Sequence, residues 1–241
     1  MFGSVLGMAL FGPAHDATLT DNCLTRNDWV CGEYVRTRSD EILDALGQHV
    51  TITVVSLAIG FAVALVLAVV ARQVSWLRGV ILGTSTALYT LPSLAMFALL
   101  LPFTGISATT VVVGLVLYSL TILVRGILTG LDAVPAEVRE SAVGMGYDGF
   151  RLLRKVELPL ALPAVFAALR VATVSTVALT TIGMIVNHGG LGNLIARGQR
   201  SNFHAEVLTA SALCVVLALV ADLALLALQR WLMPWRRAVN A

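Results

Sequence analysis

Two ionisable residues sit where a charge is costly: Arg170 inside the apolar run 162–186 and Asp222 inside 207–228. Near the middle of a bilayer either charge alone costs about 2.5–3.5 kcal/mol on insertion scales, so each needs an internal partner. If both runs end at one surface, near Leu160 and Arg230, Arg170 lies roughly 15 Å and Asp222 roughly 12 Å from it at about 1.5 Å per residue. The matching depths predict an ion pair, direct or through one intermediary. Arg125 is the competing partner for Asp222, and snorkelling to the interface is the alternative for Arg170. A second chemical group is the hydroxyl-rich stretch Thr84, Ser85, Thr86, Tyr89, Thr90 and Ser93 in the run 77–101, where Pro92 removes a donor, frees a carbonyl near Leu88 and is expected to kink the helix. Thr86, Tyr89, Thr90, Pro92 and Ser93 are candidates for a polar pathway wall; glue between closely packed membrane helices is the other reading. Cys23 and Cys31, eight positions apart in an acidic segment, either close a disulfide outside the membrane or stay as two thiols in a turn. Hydrolytic and metal chemistry lack their residues: there is no G-x-S-x-G, H-E-x-x-H, C-x-x-C or His/Cys cluster. Lys155 is the only lysine, and Arg154 precedes it. No phosphate-binding loop can therefore exist, and any nucleotide hydrolysis belongs to another chain.

The elements that must position these groups are long apolar helices. Of 241 residues, 58% are hydrophobic and 12% charged, against about 25% charged in an ordinary soluble domain. A soluble globule is excluded, and the net charge of +2 does not suggest nucleic acid as a partner. Five runs are long enough to cross a bilayer: 50–71, 77–101, 108–128, 162–186 and 207–228. Lipid cannot satisfy loose backbone groups, so runs of this length without strict alternation are helices, and the fold class is an all-α polytopic membrane protein. The run Phe2 to Gly12 is too short for a hydrocarbon core of about 30 Å. It is expected to be an interfacial or partner-packed helix, with a sixth span as the alternative. If the polar segment between spans three and four is cytoplasmic, that side holds Arg72, Arg78, Arg125, Arg139, Arg151, Arg154, Lys155, Arg230, Arg236 and Arg237, and the other holds Arg26, Arg36, Arg38, Arg197 and Arg200. The excess of positive charge favours this arrangement, with the N-terminal segment outside and the C-terminus inside.

The segment between spans three and four, about residues 131–160, is the longest polar stretch in the hydrophobic body. Pro135 suits the start of a short helix, with Glu137 and Glu140 near its positive end. Ser141, Ala142, Gly144 and Gly146 keep its surface small, as seating in a partner's groove requires. Gly146 is expected to end it, and a second helix over 147–156 to stop before Pro159. A solvated amphipathic linker is the plainer reading.

The spacing decides for the first. Glu140-Ser141-Ala142, three residues, Gly146, nine residues, Val156, one residue and Leu158-Pro159 resembles the E-A-A-x-x-x-G-x9-I-x-L-P signature of permease subunits in bacterial ATP-binding-cassette importers. Serine replaces the usual alanine and valine the usual isoleucine. Thr90-Leu91-Pro92-Ser93-Leu94-Ala95, Gly144-Met145-Gly146, the run from Arg154 to Pro163 and Gly189-Gly190-Leu191-Gly192-Asn193-Leu194-Ile195 are similar to permeases for glycine betaine, carnitine, choline and related osmoprotectants. The resemblance implies a five-helix type I importer permease core over 49–229, an extra N-terminal extracytoplasmic segment over 1–48 and a cytoplasmic tail over 230–241, in a bacterial inner membrane. It also implies that Glu140, Ser141, Ala142, Gly146, Leu158 and Pro159 couple the chain to a separate ATPase subunit, present in two copies. The further partners are a second permease chain, identical or homologous, and an extracytoplasmic substrate-binding protein. This chain would bind no cofactor, ATP and magnesium being used by the ATPase. Gly189, Gly190, Gly192 and Asn193 would form an outer loop or re-entrant turn, serving as outer gate or seat for the binding protein, or a plain flexible turn. The alternative solutes are methionine, another amino acid or a sulfur-containing betaine; an intramembrane enzyme is the contrasting class.

Overall fold

The computed structural model describes residues 22–234; the apolar run at 2–12, Arg236 and Arg237 lie outside them. A loop at 22–31 leads into α1 (Gly32–Thr37) and then α2 (Ser39–Gln73). The latter runs 35 residues without a break, about 52 Å at 1.5 Å per residue. It therefore overshoots a hydrocarbon core of about 30 Å, and the boundary expected between residues 48 and 49 falls inside it. Nothing from Ser39 to His49 stops a helix; Gly47 alone costs only about 1 kcal/mol.

The second expected span is two helices, α3 (Ser75–Thr90) and α4 (Ser93–Thr104), bent by 102°. The bend falls at Pro92, within the span read over 77–101. Pro92 has no N–H for the Leu88 carbonyl, which instead takes the Leu91 N–H at 3.3 Å, and the Leu91 carbonyl accepts the Tyr118 hydroxyl. Tyr118 thus satisfies the group that the break leaves open. Next come α5 (Ala108–Asp132), α6 (Ala136–Gly144) and α7 (Gly149–Leu152). A π-helical turn over Leu153–Glu157 joins α7 to α8 (Leu158–Thr180). Helical backbone consequently continues through Pro159, contrary to the stop expected before it. Proline lacks only an N–H and needs room for its ring, and the wider π turn before it supplies that room. A 3-10 turn (Thr181–Val186), α9 (Leu191–Arg200) and α10 (His204–Leu232) complete the chain. Four helical stretches are long and apolar enough to cross a membrane, and the bent α3–α4 pair makes a fifth if counted as one span.

The centre of the bundle is α5, packed between α2 and α8. Gly60, Ala64, Ala68 and Ala71 present a small, buried face of α2 to Leu120, Leu123, Val124 and Ile127. On its other side α5 crosses α8 where Gly126 and Gly130 meet Ala161, Ala164 and Ala168. Small residues in both rows let the backbones approach, which is how membrane helices gain packing without a hydrophobic drive. None of the apolar window of α10 is buried, so Leu219, Val220 and Leu223 face outward.

Candidate functional site

Pro135 caps α6 at its start, and the helix ends in a six-residue closing motif. The Tyr147 N–H donates to the Ala142 carbonyl at 3.1 Å and the Gly146 N–H to the Val143 carbonyl at 2.9 Å, with Gly146 at φ +83°. This is a Schellman end, and its left-handed position is why glycine stands at 146. Of the residues singled out in the sequence, Glu140, Ser141 and Gly146 are exposed and Ala142 is buried against the body. Ser141 donates to the Glu137 carbonyl at 2.7 Å. Leu158 and Pro159 open α8, so the signature spans one solvent-facing helix and its return.

What pins that helix was not read from the sequence. Glu157 is 2% exposed, and its carboxylate receives both terminal nitrogens of Arg72 from the end of α2. Arg139 of α6 brings its Nε to 3.1 Å from the same carboxylate and donates through Nη2 to the Leu131 carbonyl at 2.6 Å. One buried acid thus ties α2, α6 and the root of α8 together. Nearby Arg78 pairs with Asp132 at 2.5 Å. Around this node Val138, Val143, Met145 and Phe150 stand exposed, the last two at 70% and 71%.

The hydroxyl-rich stretch divides at the helix break. Thr86 and Tyr89 lie on α3, Thr90 at its end, Pro92 at the corner and Ser93 at the start of α4. Thr86 Oγ1 accepts from Arg125 at 2.8 Å, the Tyr89 and Tyr118 rings meet edge to face at 5.9 Å, and Thr121 donates to the Ser85 carbonyl at 2.5 Å. Thr90 donates to the Ala87 carbonyl at 2.7 Å. Arg125, weighed against the sequence as a partner for Asp222, serves Thr86 instead. Asp222 is held by Arg170 in two parallel bonds, Nε to Oδ1 and Nη2 to Oδ2, each 2.7 Å. The guanidinium does not snorkel. Both side chains line a groove of about 470 Å³ with Val171 and Val174.

At the far end of α2 the expected loop over 189–193 is largely helical. Gly190, at φ +56°, caps α9, and Gly192 and Asn193 lie inside it. A Cβ on Gly192 would overlap the Thr181 backbone, and one on Gly190 would come within 2.6 Å of His49. Close packing, which a flexible turn would not need, explains these glycines. Asn193 receives the Gly189 N–H and donates to the Asn187 carbonyl, both at 3.1 Å. Arg197 of α9 pairs with Glu41 and Glu206, and those two carboxylates hold its guanidinium well above the usual arginine range. Burial, then the Glu206 charge, pushes the Tyr34 hydroxyl up to about 12, so it stays neutral at physiological pH. Cys23 and Cys31 are joined in a disulfide. The loop it closes sets Asn27 against Asn202 and His204 at 2.7 and 2.9 Å and stacks Trp29 on His204 at 4.2 Å.

Residues 43–238 match the family described as the binding-protein-dependent transport system inner membrane component. The chain belongs to that family. This permease is 33% identical over 207 residues to the glycine betaine/carnitine/choline transport system permease protein OpuCD of Bacillus subtilis, covering 86% of this chain and 90% of that protein. It is 35% identical over 193 residues to the osmoprotectant import permease protein OsmW of Salmonella typhimurium, covering 78% and 89%. Its fold is similar to a chain of the inward-facing MetNI methionine ABC transporter, with a TM-score of 0.69 at 21% identity, over 78% of this permease and 94% of that chain. The permease is a multi-pass inner-membrane transporter subunit, not an enzyme, and its family works with an ATPase and a substrate-binding protein.

The Arg170–Asp222 pair gives this permease a measurable internal coupling. Arg170→Ala and Asp222→Ala should each lower the level of assembled permease in the membrane, and the double variant should lose less than the summed losses, because each single change strands a charge. Strict additivity in that double-mutant cycle would show the two residues to be independent.

Proposed function

We propose that this permease forms half of the path by which a quaternary-ammonium or betaine-type osmoprotectant is imported. A second permease chain, identical or related, supplies the other half. Two ATPase subunits, which bind the ATP and magnesium, engage the face that carries α6, and a binding protein delivers solute to the face that carries α9 and the disulfide loop. The C-terminus is then cytoplasmic and the N-terminal segment extracytoplasmic. The relatives named for glycine betaine, carnitine, choline and osmoprotectants support this solute class over methionine, since the likeness to MetNI at 21% identity speaks to fold alone.

The observation that carries the coupling role is the combination of an exposed apolar rim, Val138, Val143, Met145 and Phe150, with a buried ionic anchor beneath it at Glu157. Apolar side chains on a solvent-facing helix are costly unless a partner covers them. A helix fixed to α2 and α8 by Glu157 moves with them, so a push from the partner reaches the bundle instead of bending a loop. Glu140 and Gly146 would sit in that contact, and Leu158 and Pro159 would carry it into α8. Thr86, Tyr89, Thr90 and Ser93 would face the path, and the packed turn at Gly189, Gly190, Gly192 and Asn193 would bear on the outer gate.

Proteoliposomes holding the full complex test this reading. Labelled glycine betaine is expected to accumulate only with ATP on the α6 side and binding protein on the other. Uptake of methionine in its place, or uptake without ATP, would contradict it.

A further inference from the structure

Arg125 sits seven residues from the end of α5, about 10 Å along the helix, and its side is exposed. Its Nη2 donates to Thr86 Oγ1 at 2.8 Å, and no carboxylate pairs with it among the described residues, unlike Arg72, Arg78 and Arg170. A guanidinium has five N–H donors, so most of its capacity is unspent. A bare arginine toward lipid at this depth is costly, and such residues face water-filled cavities and mark pathways.

One turn along α3 from Thr86 stands Tyr89, 46% exposed. Tyr118, 5% exposed, props its ring edge to face at 5.9 Å and is itself anchored through its hydroxyl to the Leu91 carbonyl at the helix break. Residues three apart lie on one helix face, so Tyr89 shares a wall with Thr86, the residue that holds the guanidinium, their backbones about 4.5 Å apart along the axis at 1.5 Å per residue. A small zwitterion, whose opposite charges lie a few ångströms apart, suits a wall that offers an aromatic ring and a guanidinium one helical turn apart. Aromatic faces attract quaternary ammonium groups, and guanidinium takes a carboxylate in two parallel bonds.

We infer that Arg125 and Tyr89, held by Thr86 and Tyr118, form a transit site for a zwitterion, with its carboxylate on Arg125 and its quaternary ammonium on Tyr89. This rests on the import reading above and adds a preference: a solute bearing a carboxylate is favoured over a simple cation, which the positive guanidinium repels.

Saturation-transfer NMR on the permease–ATPase complex in nanodiscs, without binding protein, tests the site with glycine betaine, its methyl ester and choline at millimolar concentration. In the native complex the methyl signal of glycine betaine should exceed those of the ester and choline by about tenfold, the weight of a hydrogen bond to a charged group. Arg125→Gln should erase that preference and Arg125→Lys should keep part of it. Tyr89→Leu should weaken all three ligands, and Tyr89→Phe should restore them. Equal signals from betaine and its ester in the native complex would overturn the site even if Arg125→Gln fails to assemble, as would a preference that survives in Arg125→Gln. ATP-driven uptake of betaine without Arg125-dependent binding would remove the site and leave the transporter reading. Arg125-dependent binding without uptake would do the reverse.

Discussion

Replacing Gly126 with leucine is expected to remove the permease from the membrane almost entirely. Even a methyl group at 126 would overlap the Ala168 side chain, where the nearest remaining atom, the Ala168 Cα, lies at 3.5 Å. The α5–α8 crossing is the interior of the bundle, so neither helix can lean away without opening the packing of α2 on α5 as well. Overpacking a fitted core costs about 1–3 kcal/mol, and leucine at a backbone crossing belongs at or beyond the top of that range. Size alone accounts for the effect, so it should be reversible by size: Gly126→Ala should lower the permease level measurably, and Gly126→Ala with Ala168→Gly should restore it. Failure of that restoration, with both variants expressed at equal message levels, would mean that Gly126 matters for something other than clearance.

Glu157→Ala should leave solute delivery intact and abolish most ATPase stimulation by loaded binding protein. The substitution strands Arg72 and Arg139 around an empty, 2% exposed site, and breaking a buried pair from one side costs about 3–5 kcal/mol. That cost falls on the junction of α2, α6 and α8, not on the end that carries α9. The expected loss of stimulation is therefore tenfold or more, with binding-protein affinity unchanged. Glu157→Gln, which keeps acceptors without the charge, should fall between. Wild-type stimulation in Glu157→Ala would show that the anchor plays no part in coupling.

The long helices were legible because lipid permits little else: an uninterrupted apolar run must be helical, and the small residues of α2 and α5 mark its packed faces. Their ends were not. Asp40, Glu41 and Asp44 hid the first turns of α2, since hydropathy is blind to helix that leaves the hydrocarbon. The helix α9 was missed because Gly192, Asn193 and Gly198 argue against helix locally. Burial of Leu191 and Leu194 in the cluster with Cys31, Tyr34 and Ile42, with Gly198 packed against Val207, overrides that preference. Pro92 announced a kink, but the size of the bend depends on Tyr118, 27 positions away, taking the Leu91 carbonyl. Arg170 and Asp222 could be matched by depth because the cost of an unpaired charge in lipid forces a partner. Glu157 offered no such clue: it lies 85 residues from Arg72, beside a proline motif that drew attention elsewhere. Gly146 was placed by its residue type, and the left-handed backbone there gives the reason.

The most direct test of the docking account is a photo-cross-link from the rim of α6. Met145, 70% exposed, is replaced by cysteine in a chain whose free Cys214 has been changed to alanine, and a benzophenone maleimide is attached before the full complex is illuminated. The expected result is an adduct with the ATP-hydrolysing subunit, formed from the cytoplasmic side and weakened by Glu157→Ala. An adduct with the substrate-binding protein, or labelling of position 145 only from outside, would contradict it.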